Sequence, residues 1–276
     1  VPVIPTISAN GAEIPALGFG TWPLKGEACI AAVSVALDAG YRHIDTAAMY
    51  ANEREIGEAI GNHAVPRDEI FLTTKVWFSD LRHDAMIASA EASLAQLGVD
   101  QVDLLLIHWP SSEISIAEQV GNLCDVKRRG LARHIGVSNF PSRMVDEAVA
   151  AADEKLVANQ IEYHPFQDQS AVLAACRHHG LALTAYSPIA RGRVSKSPVI
   201  EAIASQKGKS EAQIALRWLI QQPGVAAIPK SAHPARIRAN MAITDFDLTD
   251  DEMARISALG SRDGRTVNFD WAPDWD

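Results

Sequence analysis

A chain of 276 residues, 47% hydrophobic and carrying a formal net charge of −9, is long for one ordinary domain but normal for an α/β barrel, and it has ample material for a large core. That charge argues against a general nucleic-acid or anionic-membrane surface, so an anionic ligand needs a local cluster of Lys and Arg working against the global field. No run approaches the roughly 18 apolar residues that span a bilayer, and the opening VPVIPTISANG lacks a basic start followed by a long apolar stretch. The expectation is a soluble, cytoplasmic protein. Cys29, Cys124 and Cys176 are far apart, without CxxC or metal-like spacing, which reads as free thiols buried on helices in a reducing compartment. No HExxH or comparable metal pattern occurs, so no metal is expected.

The first predicted element is a hairpin. TISAN and EIPAL flank Asn10-Gly11, a strong tight-turn signal, and a cap across the bottom of a barrel has this form. A regular alternation follows. Strand-like runs fall at 17–21, 42–46, 70–75, 102–108, 134–138, 157–161, 181–186 and 225–230. Helical patterns separate them: EACIAAVSVALDAG, EREIGEAIGN, the 82–98 stretch, SIAEQVGNLCDVKRRG, SRMVDEAVAAA, QSAVLAACRHHG and SEAQIALRWLIQQ, with further helical stretches at 233–241 and near 249–259. Eight strands joined by helical crossovers count out a (β/α)8 TIM barrel with an N-terminal hairpin cap and an extra C-terminal helix and tail. With no interior linker or low-complexity tract, residues 1–276 read as a single domain.

In this architecture chemistry sits at the C-terminal ends of the strands. Thr21, Asp45, Lys75, His108, Ser138, Asn139, Gln160, Tyr186 and Lys230 all stand at such ends. Four of the polar groups in this region make a coherent set. Tyrosine, with a pKa of about 10, is a poor acid alone near neutrality. A lysine ammonium beside it favours phenolate and pulls that value down. Asp45 would hold the ammonium of Lys75, and His108 would fix a substrate oxygen next to the Tyr50 hydroxyl. Such a site protonates an oxygen on which negative charge is developing, and carbonyl reduction with a hydride-donating cofactor is the obvious reaction. Other constellations fail. GFG at 18–20 lacks the third glycine of a dinucleotide fingerprint, and GVSNF lacks the last glycine of a nucleophile elbow. His178-His179 closes a helix as a solvated turn, and His164 in NQIEYHP reads as structural support for the rim.

GYRHIDTAAMYANEREIGEAI (40–60), LLLIHWP followed by IGVSNF, and IPKSAHPARIRAN (228–240) closely resemble the signatures of the aldo-keto reductase family, and the resemblance runs essentially end to end. It implies a catalytic tetrad of Asp45, Tyr50, Lys75 and His108, with Tyr50 the general acid. It also implies that Ser138, Asn139 and Gln160 bind a nicotinamide carboxamide and that Tyr186 stacks on the ring. Thr21, Trp22, Asp45, Ser187, Pro188 and Ile189 complete that cofactor surface. Lys230, Ser231 and Arg236 align with 2′-phosphate contacts and Asn240 with an adenine contact, which implies NADPH. Ala239 stands where members often carry Glu or Gln, so NADH stays open. Arg191 and Arg193 are candidates for the pyrophosphate, with a solvent-facing loop as the competing reading.

Trp22, Trp77, Phe78, His108 and Trp109 follow strand ends and can wall an apolar carbonyl pocket. Trp271 and Trp275 in the tail either close over it or pack against the barrel exterior. The short SSEISIAEQ loop and the acidic tail NFDWAPDWD look most like the bacterial 2,5-diketo-D-gluconate reductase group, B-type members that also reduce methylglyoxal. The expectation is a monomeric NADPH-dependent reductase of small aldehydes and α-dicarbonyls. Two alternatives stand beside it: a secondary-alcohol dehydrogenase working in the oxidative direction, and a low-turnover NADPH-binding regulatory protein.

Overall fold

The computed structural model describes residues 4–276. Strands β1 (Thr6–Ala9) and β2 (Ala12–Pro15) pair antiparallel from Thr6↔Pro15 to Ala9↔Ala12. Asn10 and Gly11 take φ of 46° and 95°, the left-handed geometry a two-residue primed turn demands and Asn-Gly supplies at low cost. The inner face of this hairpin, Ala9, Ala12 and Ile14, packs on Leu104, Leu106, Val157, Ala158 and Ala182. Asn10 Nδ2 also donates to the carbonyls of Leu156 and His179, at 2.7 and 3.0 Å. The hairpin therefore plugs the end of the barrel at which strands begin, as expected.

The barrel comprises β3 (Phe19–Gly20), β4 (His43–Asp45), β5 (Phe71–Val76), β6 (Val102–Ile107), β7 (Ala132–Ser138), β8 (Leu156–Glu162), β9 (Ala182–Tyr186) and β10 (Val225–Ala227). They neighbour one another in chain order, all parallel. All eight expected strands are present, though β3, β4 and β10 are shorter than their apolar runs. The ring closes between its first and last strands. Leu17 bridges Ala227, Gly18 N donates to Ala227 O at 2.9 Å, and Gly20 N donates to Pro229 O at 3.1 Å. A Cβ on Gly20 would lie 2.7 Å from Ile228 O. Gly20 thus serves close backbone approach at the closing seam, while a Cβ on Gly18 would meet the His43 ring at 2.7 Å.

Helices α1 (Gly26–Ala39), α2 (Glu53–Gly61), α3 (His83–Leu97), α4 (Ile116–Arg128), α5 (Ser142–Ala151) and α6 (Ser170–His178) make the first six crossovers. Apolar stripes explain their seating: on α1, Cys29, Val33, Ala36 and Leu37 are buried, recurring at helical spacing toward the barrel. All three cysteines are buried free thiols, as expected. The β9–β10 crossover departs from the expectation of one helix. A 3-10 stretch over Ala190–Lys196 leads into α7 (Pro198–Lys207), which sequence reasoning missed, and then α8 (Glu211–Ile220). The signals for α7 were nonetheless present: Ser197 caps the Ile200 amide, Pro198 opens the helix, and Gly208 closes it at φ 64°. Helix α9 (Pro234–Met241) follows β10, and α10 (Asp250–Ser257) starts in a capping box made by Thr249 and Glu252. The tail then runs back across the barrel mouth.

Candidate active site

Three chain segments meet at the mouth. Asp45 ends β4, Lys75 stands near the end of β5, and His108 directly follows β6. Tyr50 closes a single 3-10 turn, Ala48–Tyr50, after which Ala51 takes φ of 48°. Lys25 fixes this turn by donating to the carbonyls of Tyr50 and Ala51. Buried Asn52 ties the same loop down: it accepts from Thr46 Oγ1 at 2.7 Å and donates to the Leu24 carbonyl at 3.1 Å. Neither Lys25 nor Asn52 stood out in the sequence.

The Lys75 ammonium is fully buried and donates to Asp45 Oδ1 at 2.5 Å, to the Thr46 carbonyl at 2.8 Å and to the Tyr50 hydroxyl at 3.4 Å. Its three protons thus have three acceptors, which is what a buried ammonium requires. Burial pulls its pKa below the ordinary lysine value, and Asp45 and Glu53 oppose that pull. Glu53 is itself buried and bonded by Thr74 Oγ1, a further carboxylate near the ammonium that sequence reasoning missed.

The tuning of Tyr50 differs from the sequence expectation. Its pKa stands well above 10.0, first because the phenol is buried and second because Asp45 repels a phenolate. Lys75 is in place, yet the phenol is held protonated and so is ready to give a proton rather than take one. Burial, and then the Lys75 charge, push His108 well below 6.5. Its imidazole is therefore neutral near neutral pH and carries a single N–H. The Nδ1 atom is buried without a partner, and the ring meets Tyr50 and Trp77 edge to face at centroid distances of 5.5 and 5.0 Å.

The remaining strand ends are wired to this group. Gln160 Nε2 donates to Asp45 Oδ2 at 2.7 Å, and Ser138 Oγ donates to the Gln160 carbonyl at 2.8 Å. Asn139 Nδ2 donates to the His108 carbonyl at 2.9 Å, and Tyr186 OH donates to Asn139 Oδ1 at 2.8 Å. Asn139, Ser187, Ala190 and Arg191 all have φ between 47° and 64°. Left-handed non-glycine residues gathered at one site mark backbone strain that surrounding packing must hold.

A cavity of about 550 Å³ opens over these residues, within the range for a small-molecule site. Thr21, Trp22, Asp45 and Tyr50 form one side, and Trp77, His108 and Trp109 another. Asn139, Gln160, Tyr186, Ser187, Ile189 and Lys230 form the third. Lys75 sits behind the wall and reaches the cavity through Tyr50. Phe78 is likewise set back, packed on Trp77 and Trp271 at 4.9 and 4.8 Å. Ser138 turns its hydroxyl to backbone, and neither it nor Pro188 lines the cavity. Ser231, Arg236 and Asn240 lie beyond the wall, on α9 and the turn before it. Lys230 and Arg236 are exposed, and among the described residues neither pairs with a carboxylate. Arg191 lines the cavity, whereas Arg193 donates to the Gly264 carbonyl at 2.9 Å and stacks on Phe166. Of the two arginines, only Arg191 faces the ligand space.

The tail closes over the apolar end. Trp271 packs on Trp77, Phe78 and Trp109, and Trp275 packs on Trp109. Phe269, stacked on Trp271 at 4.8 Å and 4°, lines the cavity together with Val267, Met49 and Ile228. These four lining residues were missed. A polar strand-end search cannot find apolar ones, although the aromatic spacing of NFDWAPDWD offered a cue for Phe269.

Comparison with known proteins gives the family. The model of the Aldo/keto reductase family matches residues 16–261. An aldo-keto reductase of Mycolicibacterium smegmatis is 43% identical, over 96% of this chain and 98% of that protein. The methylglyoxal reductase DkgB of Yersinia pestis is 41% identical, over 96% of this chain and 100% of its own length. Among solved structures, one provisionally named 2,5-diketo-D-gluconic acid reductase B superimposes with a TM-score of 0.97 at 47% identity, covering 99% of this chain and 98% of that one. A Bombyx mori aldo-keto reductase in complex with NADP superimposes with a TM-score of 0.89 at 36% identity, covering 97% and 96%. The chain belongs to the aldo/keto reductase family and is an oxidoreductase enzyme.

Proposed function

We propose that this enzyme is an NADPH-dependent reductase of small aldehydes and α-dicarbonyls, such as methylglyoxal or a diketogluconate, with Tyr50 as the general acid. The observation that carries the proposal is the buried Asp45–Lys75 pair reaching the Tyr50 hydroxyl, with contacts of 2.5 and 3.4 Å, at the base of a cavity walled by aromatic rings.

The residues present fit the cofactor. Asn139 and Gln160 offer amide groups suited to a neutral carboxamide, and Tyr186 offers an aromatic face. Lys230 and Arg236 are cations without carboxylate partners, suited to a phosphate on a chain that otherwise repels anions. The chemistry a bound NADPH supplies is two-electron reduction of the carbonyl carbon. Tyr50 OH donates the proton to the carbonyl oxygen as that oxygen becomes an alkoxide. Lys75 lies within 3.4 Å of the phenol oxygen, and its charge stabilises the phenolate left behind. Asp45 holds the ammonium, and the neutral His108 N–H orients the substrate oxygen. Trp22, Trp77 and Trp109 exclude water around it.

Oxidation of NADPH by the purified protein with methylglyoxal, 2,5-diketo-D-gluconate and nitrobenzaldehyde tests this directly; no consumption with any of them sinks the substrate class. Running the panel with NADH as well reads the cofactor preference left open by Ala239. In the same proposal the whole chain is one domain, acting as a cytoplasmic monomer with a small carbonyl as its partner, and a sizing column checks the monomer. Among the described residues no helix is long and apolar enough to cross a bilayer.

A further inference from the structure

Glu162, the last residue of β8, has a fully buried carboxylate that takes no part in the proton transfer above. Its oxygens accept from the tail: Thr266 N at 2.7 Å, Thr266 Oγ1, and Val267 N at 2.9 Å. His164 Nε2 donates to it at 3.0 Å, while His164 Nδ1 accepts from the Phe166 amide, which fixes the tautomer. Burial alone would raise the Glu162 pKa, but the bonds from His164, Thr266 and Val267 outweigh it and hold the group below the ordinary carboxylate range. A buried carboxylate is thus satisfied mainly by two consecutive residues 104 positions and more away in sequence.

That stretch of chain has no regular secondary structure, so its amides must find partners elsewhere, and Glu162 supplies them. Just upstream the chain passes so close to the barrel that a Cβ on Gly264 would lie 1.6 Å from Phe166 O. Just downstream hang Phe269 and Trp271, stacked on each other and packed on Trp109 at 5.7 and 5.1 Å. Both rings stay close to half exposed, at 47% and 44%, so their own burial does little to fix them.

We infer that Glu162 is a positioning residue: it seats the C-terminal strap, places the Phe269–Trp271 wall, and thereby sets selectivity for carbonyls carrying an aromatic group. This deepens, and rests on, the carbonyl-reductase reading. A three-carbon dicarbonyl is small enough to be held at Tyr50 and His108 by Trp22 and Trp77, which line the same cavity, with no need of the strap. An aromatic aldehyde or ketoaldehyde needs the ring faces that the strap presents.

The test compares wild type with Glu162→Gln, which keeps the shape but turns an amide N–H₂ toward an N–H donor. Hydrogen exchange of the ligand-free proteins is the first readout. Faster exchange confined to 264–276 is expected, with the barrel strands unchanged. Steady-state kinetics at saturating NADPH are the second. KM for phenylglyoxal is expected to rise about tenfold, with kcat for both substrates and KM for methylglyoxal within about twofold of wild type. Thr266→Val, which alters only the strap, should shift both readouts in the same direction by less, and it decides the matter if Glu162→Gln does not fold. Unchanged exchange over 264–276, or KM values for the two carbonyls that rise together, overturns the inference. If wild type reduces neither carbonyl, the functional reading fails, and exchange alone still decides whether Glu162 holds the strap.

Discussion

Asp45 divides its two carboxylate oxygens between the adjacent strand β5 and β8 across the barrel: Oδ1 accepts from Lys75 Nζ at 2.5 Å and Oδ2 from Gln160 Nε2 at 2.7 Å. One buried anion therefore links the proton-donating group to the strand end proposed to hold the nicotinamide carboxamide. Gln160→Leu should leave Oδ2 without a partner, which costs about 1–3 kcal/mol for a buried acceptor, with charged groups at the upper end. Both weaker NADPH binding and lower kcat are expected, read by cofactor titration and by turnover. A variant that weakens binding alone would show that the Asp45 contact is incidental.

Replacing Lys75 by Met should be worse for the fold than for cofactor affinity. It strands the Asp45 carboxylate without its cation, and breaking one side of a buried ion pair costs about 3–5 kcal/mol. Denaturant unfolding should show a loss of that order, and reduction should fall steeply because the phenolate loses its stabilising charge. Near-native stability in that variant would mean that solvent or another cation reaches Asp45.

The pH dependence follows from His108. Its folded pKa lies well below the ordinary 6.5, so near that pH the unfolded chain binds more protons than the folded one. Stability from this group is therefore present above 6.5 and is lost as pH falls toward the depressed folded value. Within the active site the imidazole stays neutral across the neutral range. A profile of kcat/KM against pH should accordingly show no inflection near 6.5. An inflection there would contradict the buried, unpartnered environment of Nδ1.

Barrel closure can be probed at Gly20, where a Cβ would lie 2.7 Å from Ile228 O. Gly20→Ala must push backbone apart at the closing seam, and a loss of about 1–3 kcal/mol is expected, as for other overpacked sites. Thermal denaturation reads it, and an unchanged midpoint would show that the β3–β10 seam yields freely.

Strand count, hairpin and polar strand ends were legible because each has a local signature: apolar runs between helical periods, an Asn-Gly turn, and ionisable residues where an apolar run stops. The α7 helix was not, since VIEAIA is a brief apolar pattern beside the far stronger one of α8. Lys25 and Asn52 were hidden for another reason. Their work is to hold the Tyr50 turn through backbone carbonyls and a threonine hydroxyl, and such contacts leave no periodic trace. The net pKa of Tyr50 was not legible, because sequence names the neighbouring charges and not the burial that raises it. Glu162 was passed over within NQIEYHP, since its partners Thr266 and Val267 are brought to it only by the tail's path across the mouth.

The central claim is that Tyr50 gives the proton. Tyr50→Phe keeps the ring and removes only the donor, so the decisive measurement pairs NADPH affinity with turnover of methylglyoxal in that variant. The account predicts NADPH binding within about threefold of wild type and a turnover loss of about 10²-fold or more. Turnover close to wild type with the phenylalanine in place would contradict it.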